Sequence, residues 1–123
     1  MVLAASPQPR HEGVSDLDQT LAALADPTRR GVVDLLRRGP RRAGELAEAL
    51  DMSPAAMSRH LRVLRTTGLI EEEHQGQDAR VRVYRLKPQR IRALRRWLEE
   101  VESFWTNELA SFKEHAERTR GSR

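Results

Sequence analysis

The sequence contains no cysteine, and this absence excludes two kinds of site. Without thiols the chain forms neither disulfide bonds nor thiolate metal sites, which fits a reducing cytoplasm. Long apolar runs are also absent, since the longest cover only a few residues and a bilayer span needs about 20. The N-terminus lacks the charged start and apolar stretch of a secretion signal, so we expect a disordered leader over residues 1–14.

Patterns that would indicate catalysis are equally absent. The chain has no glycine-rich phosphate loop, no cluster of metal-ligating residues and no set of serine, histidine and aspartate that suggests a nucleophilic site. Its 123 residues suffice for one domain with a modest core, which places any function on the surface or at an interface. We therefore expect a protein that is not an enzyme and that holds no cofactor.

Positive charge is concentrated in the middle of the chain. The net charge is +4, yet residues 1–27 carry one arginine against four acidic residues. Residues 28–90 carry fourteen lysines and arginines against eight acidic residues, and residues 91–123 carry seven against six. A basic block of this kind favours a polyanionic partner, although surface arginines also serve solubility.

Capping signals divide the first half of the chain into short helices. The first is predicted to begin at Ser15 as its N-cap and to run to about Asp26. The pair Asp26-Pro27 begins the second helix, which ends at Gly39-Pro40. A third helix covers about residues 43–50 and is followed by a tight connection. Helices three and four are thus arranged as a helix-turn-helix.

The fourth helix, residues 54–67, has the clearest ends. Ser53 is its predicted N-cap, Pro54 suits its first turn and Gly68 stops it. If Met57 and the leucines of this helix face the core, its opposite side presents small and basic residues to a DNA major groove. The predicted DNA-contacting residues of this helix are Ser53, Ala55, Ser58, Arg59, His60, Arg62 and Arg65.

A β-hairpin follows, with strands at about residues 69–74 and 79–86 and a polar tip between them. Arginines on this hairpin and before the third helix are placed to meet phosphates, and the glutamines of the tip are placed to enter the minor groove. These predicted contacts are Arg41, Arg42, Gln75, Gln77, Arg80 and Arg82, with Arg85 beside them. The alternative interpretation is that the arginines form solvated faces.

A long final helix, about residues 88–118, carries apolar residues at steps of three and four, the pattern of a helix–helix seam. We expect this helix to form a homodimer, with the first helix as a second contributor, and residues 119–123 to fray. An alternative is that the stripe packs on its own domain. The predicted dimer residues are Leu17, Leu21, Leu24, Ile91, Leu94, Leu98, Val101, Trp105 and Phe112.

The element order α-α-α-α-β-β-α predicts a mainly α, winged helix-turn-helix domain over residues 15–118. The chain resembles the ArsR-type winged-helix repressors through Ala-Asp-Pro-Thr-Arg at 25–29, Ser-Arg-His-Leu at 58–61 and Gly-Leu-Ile at 68–70. The resemblance extends from about Leu21 to Phe112. It implies a homodimer that binds an operator in double-stranded DNA through helix 54–67 and represses its own or a nearby operon.

The chain departs from the metal-sensing members of that family. Their cysteine pair corresponds to Arg42 and Gly44 here, and the last helix has a single histidine, His115, with Arg118 three residues later. We therefore predict no metal site, while a ligand set shared across a dimer around His115 stays open. The pairs Trp97-Leu98 and Phe104-Trp105 resemble a metal-free branch of the family, whose inducers are generally unknown.

A dimer with twofold symmetry would set two recognition helices about 34 Å apart, which predicts a near-palindromic operator. The alternative function is a winged-helix module that binds a protein partner and has no sequence preference for DNA. The two hypotheses differ in whether the protein discriminates between DNA sequences.

Overall fold

The computed structural model describes residues 11–74 and 81–121. Within these ranges the elements are α1 His11–Leu24, α2 Pro27–Leu36, β1 Arg41–Arg42, α3 Ala43–Ala49, α4 Pro54–Thr67, β2 Ile70–His74, β3 Arg82–Leu86 and α5 Pro88–Gly121. The chain divides into two compact units, Met1–Ile91 and Arg92–Arg123. The first unit contains the helix-turn-helix and the strands, and the described part of the second, residues 92–121, belongs to α5. Among the helices of residues 11–74 and 81–121, none combines the length and the apolar character that a membrane span requires.

The first helix begins earlier than the sequence predicted. We expected Ser15 to be its N-cap, whereas α1 begins at His11, so residues 11–14 of the expected leader are helical. Between these two positions Gly13 disfavours a helix most, by about 1 kcal/mol relative to alanine, and the prolines lie earlier in the chain. Ser15 is therefore an interior helix residue, and the predicted cap was wrong. Residues 1–10 of the leader lie outside the described residues.

The residues that α1 buries most fully are not the leucines from which its packed face was predicted. Thr20 and Ala23 are buried, while Leu17 and Leu24 are half-buried and the side chain of Leu21 is 41% exposed. The hydroxyl of Thr20 donates to the carbonyl oxygen of Asp16 at 2.9 Å, so its burial leaves no unpaired donor. The small side chains let α1 lie close to α4, and Leu21 remains on the surface.

The ends of α4 agree with the predicted signals. The Ser53 hydroxyl oxygen accepts a hydrogen bond from the Ala56 amide at 3.1 Å, and Pro54 occupies the first turn. Gly68 follows the helix with φ of 89°, a conformation that costs a glycine little. A Cβ at this position would lie 3.2 Å from Nε of Arg90, so the space there is also restricted.

Arg90 joins three helices at this point. Its Nε donates to the carbonyl oxygen of Thr67 at 3.1 Å, and its guanidinium forms an ion pair with Asp16 at 3.0 Å. The first turn of α5 is thereby bonded to the end of α4 and to α1. The bond to Thr67 also satisfies one of the carbonyls that the end of a helix leaves without a partner.

The sheet has three antiparallel strands in the order β1-β3-β2, one strand more than the predicted hairpin. Arg41 pairs with Tyr84 and Arg42 pairs with Val83. A strand of two residues is too short to show an alternating pattern, which explains why the sequence did not reveal β1. In the hairpin, Glu72 lies opposite Tyr84 and His74 lies opposite Arg82.

The core of the first unit lies where the helices meet the sheet. The predicted inward residues of α4, Met57, Leu61 and Leu64, are buried, which confirms the orientation of this helix. They pack with buried residues of the neighbouring elements, which are Ala23, Val32, Leu36, Leu46, Ala47, Leu69, Ile70 and Tyr84. Because this packing buries one face of α4, the opposite face of the helix is held toward solvent.

Asp26 is the N-cap of α2, and its side chain pairs with two amides of the first helical turn. Its carboxylate accepts from the Arg29 amide at 3.1 Å and from the Thr28 amide at 2.8 Å. The Arg29 amide in particular lowers the pKa of Asp26, and the Thr28 amide adds to this.

We expect the free energy of unfolding of the Asp26→Asn variant to fall less steeply with decreasing pH than that of the wild-type protein. Because the folded-state pKa lies below the unfolded value of about 3.9, the stabilisation by the charged form is present above that value. It is lost as pH falls through the folded pKa. Asparagine remains a good N-cap but does not titrate. Urea unfolding from about pH 2 to 6 measures the difference, and equal slopes in both proteins would contradict the prediction.

Candidate nucleic-acid interface

The exposed side of α4, together with its N-cap, carries six of the predicted DNA contacts. Since 3.6 residues complete a turn, burial of Met57, Leu61 and Leu64 turns Ser58, Arg59 and their neighbours outward. The predicted contacts that the structure exposes on or beside α4 are Ser53, Ala55, Ser58, Arg59, Arg62 and Arg65. The hydroxyl groups of the two serines and the positive charges of the three arginines thus lie on the surface of the protein, away from the core.

His60 is the exception among these predictions, because it is half-buried. Its Nδ1 lies 3.3 Å from a guanidinium nitrogen of Arg29 on α2. Arg29 also donates to the carbonyl oxygen of Ala23 at 2.8 Å, at the end of α1. A guanidinium only donates, so Nδ1 of His60 is the acceptor in this contact. The ring therefore links α4 to the α1–α2 connection and lies at the edge of the packed face.

A cleft of about 380 Å³ brings together predicted contacts from three parts of the chain. Arg42 reaches it from the start of α3, Ser58 from α4 and Arg82 from β3. The remaining lining residues are Ala43, Gly44, Val81 and Tyr84. Arg41, in contrast, is half-buried in β1. The cleft joins the helix-turn-helix and the hairpin into one surface with small, polar and positively charged groups.

Acidic residues of β2 hold the arginines of the hairpin. Arg85 forms an ion pair with Glu71 at 3.0 Å and lies 3.7 Å from Glu73. The hydrogen bond to Glu71 and the nearby charge of Glu73 raise the pKa of Arg85. Two acidic neighbours therefore offset the positive charge of Arg85.

Glu72 forms a second set of contacts on the side of the sheet toward α4. One carboxylate oxygen accepts from Arg65 at 3.0 Å, and the other accepts from the Tyr84 hydroxyl at 3.0 Å and from Arg82 at 3.4 Å. Burial, together with the bond to Glu72, raises the pKa of Tyr84. The sequence interpretation missed Glu72, although an acidic run opposite alternating arginines in a hairpin is a signal for such pairs. The tip residues Gln75, Gln77 and Arg80 lie outside the described residues.

The second unit presents an apolar surface. Along α5 the side chains of Leu98 and Phe112 are 50% and 70% exposed, and Val101 and Trp105 between them are also exposed. Phe104 and Leu109 add to this surface. Ile91 is half-buried and packs on the core of the first unit, and Leu94 is half-buried. The alternative that part of the stripe packs on its own domain is thus confirmed for Ile91.

Metal-ligating side chains are not clustered in the part of the chain that the structure describes. Within residues 11–74 and 81–121, no three of the His, Cys, Asp and Glu residues lie close enough together to hold a metal ion. A ligand set completed by a second chain around His115 is not tested by this observation.

Comparison with known proteins agrees with this architecture. Residues 26–72, from the N-cap of α2 into β2, match the bacterial regulatory proteins of the arsR family. The HTH-type transcriptional regulator Rv2034 of Mycobacterium tuberculosis is 41% identical over 95 residues, which are 77% of this chain and 83% of that protein. The chain belongs to the ArsR family. The ArsR-type resemblance noted in the sequence is thereby confirmed.

Two further relatives support the membership of this ArsR-family regulator. The transcriptional repressor SdpR of Bacillus subtilis is 36% identical over 61 residues, which are 50% of this chain and 68% of that protein. The structure of an ArsR-like transcriptional regulator from Rhodococcus sp. RHA1 is 30% identical with a TM-score of 0.71 and covers 84% of this chain and 94% of that one. The predicted winged helix-turn-helix fold is confirmed, with β1 as an additional strand.

Proposed function

We propose that two copies of this ArsR-family regulator bind a near-palindromic operator in double-stranded DNA and repress transcription from it. The observation that carries the proposal is the cleft in which Arg42, Ser58 and Arg82 converge beside the exposed face of α4. The role is one of binding, without catalysis, and it is exercised on DNA in the cytoplasm.

Each side chain of this surface has a part in the proposed complex. Arg59 and Arg62 lie at the exposed side of α4, where a guanidinium can pair with guanine edges or with phosphate. Ser53 and Ser58 offer hydroxyl groups, and Ala55 lets the backbone approach the groove closely. Arg42 and Arg82 at the two sides of the cleft contact phosphates and set the register of the protein on the duplex.

His60 has a different part. Because its Nδ1 accepts from Arg29 and its ring is half-buried, we assign it to holding α4 in place. Half-buried Arg41, and the tip residues Gln75, Gln77 and Arg80, remain predicted secondary contacts.

The apolar surface of α5 supports a homodimer. A row of exposed leucine, valine and aromatic side chains on one helix is a liability on a monomer and is removed from water by a second copy. Leu98, Val101, Trp105 and Phe112 form the proposed seam. The contribution of Leu17, Leu21 and Leu24 from α1 stays a prediction, for which Leu21 offers the exposed side chain.

Repression follows from the proposed mode of binding. A dimer that covers an operator within a promoter obstructs transcription there, and one relative, SdpR, is a transcriptional repressor. We infer the same sign of regulation for this protein.

Selection of duplexes from a randomised pool by the wild-type protein tests the proposal. We expect enrichment of an inverted repeat whose half-sites are about one helical turn apart. The affinity for the selected duplex should fall with salt, with a log–log slope of about −0.9 for each phosphate neutralised. Fluorescence anisotropy at several salt concentrations measures this slope. Weak binding without enrichment of any sequence would instead favour the protein-interaction module.

A further inference from the structure

Glu72 lies where the hairpin meets the recognition helix α4. Its carboxylate accepts from Arg65 of α4 and from Arg82 and Tyr84 of β3, at distances of 3.0, 3.4 and 3.0 Å. The side chain of Glu72 is only 17% exposed, whereas those of Arg65 and Arg82 are 46% and 59% exposed. One carboxylate thus holds two of the guanidinium groups that were predicted to contact DNA.

We infer that Glu72 is a positioning residue that determines specificity by withholding Arg65 and Arg82 from indiscriminate phosphate binding. The inference rests on the proposed DNA-binding function and deepens it. Two guanidinium groups and one carboxylate have a net charge of +1 instead of +2. Binding to DNA of any sequence depends on this charge, because it is driven by neutralisation of phosphates. Binding to an operator depends in addition on base contacts, which are assigned to Arg59 and Arg62 of α4, whereas the partner of Glu72 on that helix is Arg65.

The position of the Glu72 carboxylate also determines where the two arginines are held. The hydroxyl of buried Tyr84 donates to the same carboxylate oxygen as Arg82, and so restrains the carboxylate from the core side. A guanidinium has five N–H donors, so Arg65 and Arg82 keep donors for a phosphate that approaches in the correct position. A phosphate elsewhere is attracted less strongly, because Glu72 lowers the net charge of the cluster from +2 to +1. An element of this kind raises specificity by weakening wrong complexes more than the correct one.

The neighbouring acid Glu71 provides a matched control. Glu71 is in the same strand, but its partner is Arg85, and Arg85 also lies near Glu73. Removing the charge of Glu71 therefore leaves Arg85 with an acidic neighbour and leaves Arg65 and Arg82 bound to Glu72. The change in net charge of the protein is the same for Glu71→Gln and Glu72→Gln.

The test measures salt-dependent binding of the full chain to a mixed-sequence duplex without an inverted repeat. We expect Glu72→Gln to steepen the negative log–log slope by about 0.9 for each additional phosphate neutralised, which is an affinity about eightfold higher at about 0.1 M salt for one phosphate. Glu71→Gln should keep the wild-type slope. For the duplex selected by the wild-type protein, Glu72→Gln should change affinity less, so the ratio of the two affinities falls.

Three results would overturn the inference. They are an unchanged slope for Glu72→Gln, a slope equal to that of Glu71→Gln, or an equal weakening on both duplexes, which a merely structural role would produce. Arg82→Gln is the second variant, to be made alone and together with Glu72→Gln. In the double variant, Arg82→Gln should cancel much of the increase in affinity for the mixed-sequence duplex that Glu72→Gln produces. Made alone, Arg82→Gln should change that affinity less. Equal effects in the two backgrounds would contradict the inference even if Glu72→Gln lowered stability.

Failure of the proposed function gives a different result from failure of the inference about Glu72. If the wild-type protein has no preference for any selected duplex, the operator proposal is wrong whatever the slopes are. If the wild-type protein prefers a selected duplex and the ratio is unchanged in Glu72→Gln, only the role of Glu72 is wrong.

Discussion

Replacement of Leu98 by glutamate is expected to convert the proposed dimer to monomers and to lower operator affinity by about two to four orders of magnitude. Leu98 is 50% exposed in the middle of the apolar surface of α5, with Val101 and Trp105 in the following turns. A carboxylate there would be buried against apolar side chains of the second copy without a partner, which is costly. Once the copies separate, the second half-site no longer benefits from the high local concentration that the dimer provides.

Light scattering after size-exclusion chromatography measures the oligomeric state, and fluorescence anisotropy measures binding to the selected duplex. Asn107→Glu is the matched control, because nine residues are two and a half helical turns and place Asn107 on the opposite side of α5 from Leu98. Asn107 is also exposed. We expect this variant to be dimeric and to bind like the wild type. A dimeric Leu98→Glu protein with unchanged affinity would show that the seam lies elsewhere.

Arg59→Ala is expected to weaken operator binding by about 1–3 kcal/mol and to relax the preference at one base position of each half-site. Arg59 is exposed on the face of α4 opposite its buried methionine and leucines. A good bidentate contact from arginine to a base edge is worth about this much discrimination against the wrong base. The affinity for a mixed-sequence duplex should change much less, because only the phosphate contribution of one charge is lost.

Binding of single-base variants of the selected duplex measures this preference. Arg37→Ala is the control, since Arg37 is an exposed arginine at the end of α2 that pairs with Asp34, outside the cleft and α4. It removes the same charge and should leave the preference intact. If Arg59→Ala bound every duplex like the wild type, the assignment of the recognition face would be wrong.

Local signals explain which parts of the fold could be predicted from the sequence. The pairs Asp26-Pro27 and Ser53-Pro54, together with Gly68, act on neighbouring backbone groups, and the helix ends that they predicted are present. The start of α1 has no such signal, and a predicted cap at Ser15 took its place. Burial of Thr20 and Ala23 depends on the close approach of α4, a tertiary effect that the leucine spacing of α1 does not contain.

The candidate site was predictable to a similar extent. Helical periodicity was sufficient to turn Ser58, Arg59 and Arg62 outward, because their direction follows from the buried residues of the same helix. The pairing of Arg65 and Arg82 through Glu72 depends on the register of the hairpin and on its contact with α4. The sequence interpretation treated these arginines as independent charges. A sequence motif could identify the family, but it could not show which positive charges are already paired.

Arg90 connects the first turn of α5 to two earlier helices. The side chain belongs to the first turn of α5, yet its guanidinium is bonded to the terminal carbonyl of the recognition helix and to Asp16. A rotation of that first turn must therefore either pull on the end of α4 or break these bonds. Through this one side chain, a displacement at the start of α5 is transmitted to the end of α4.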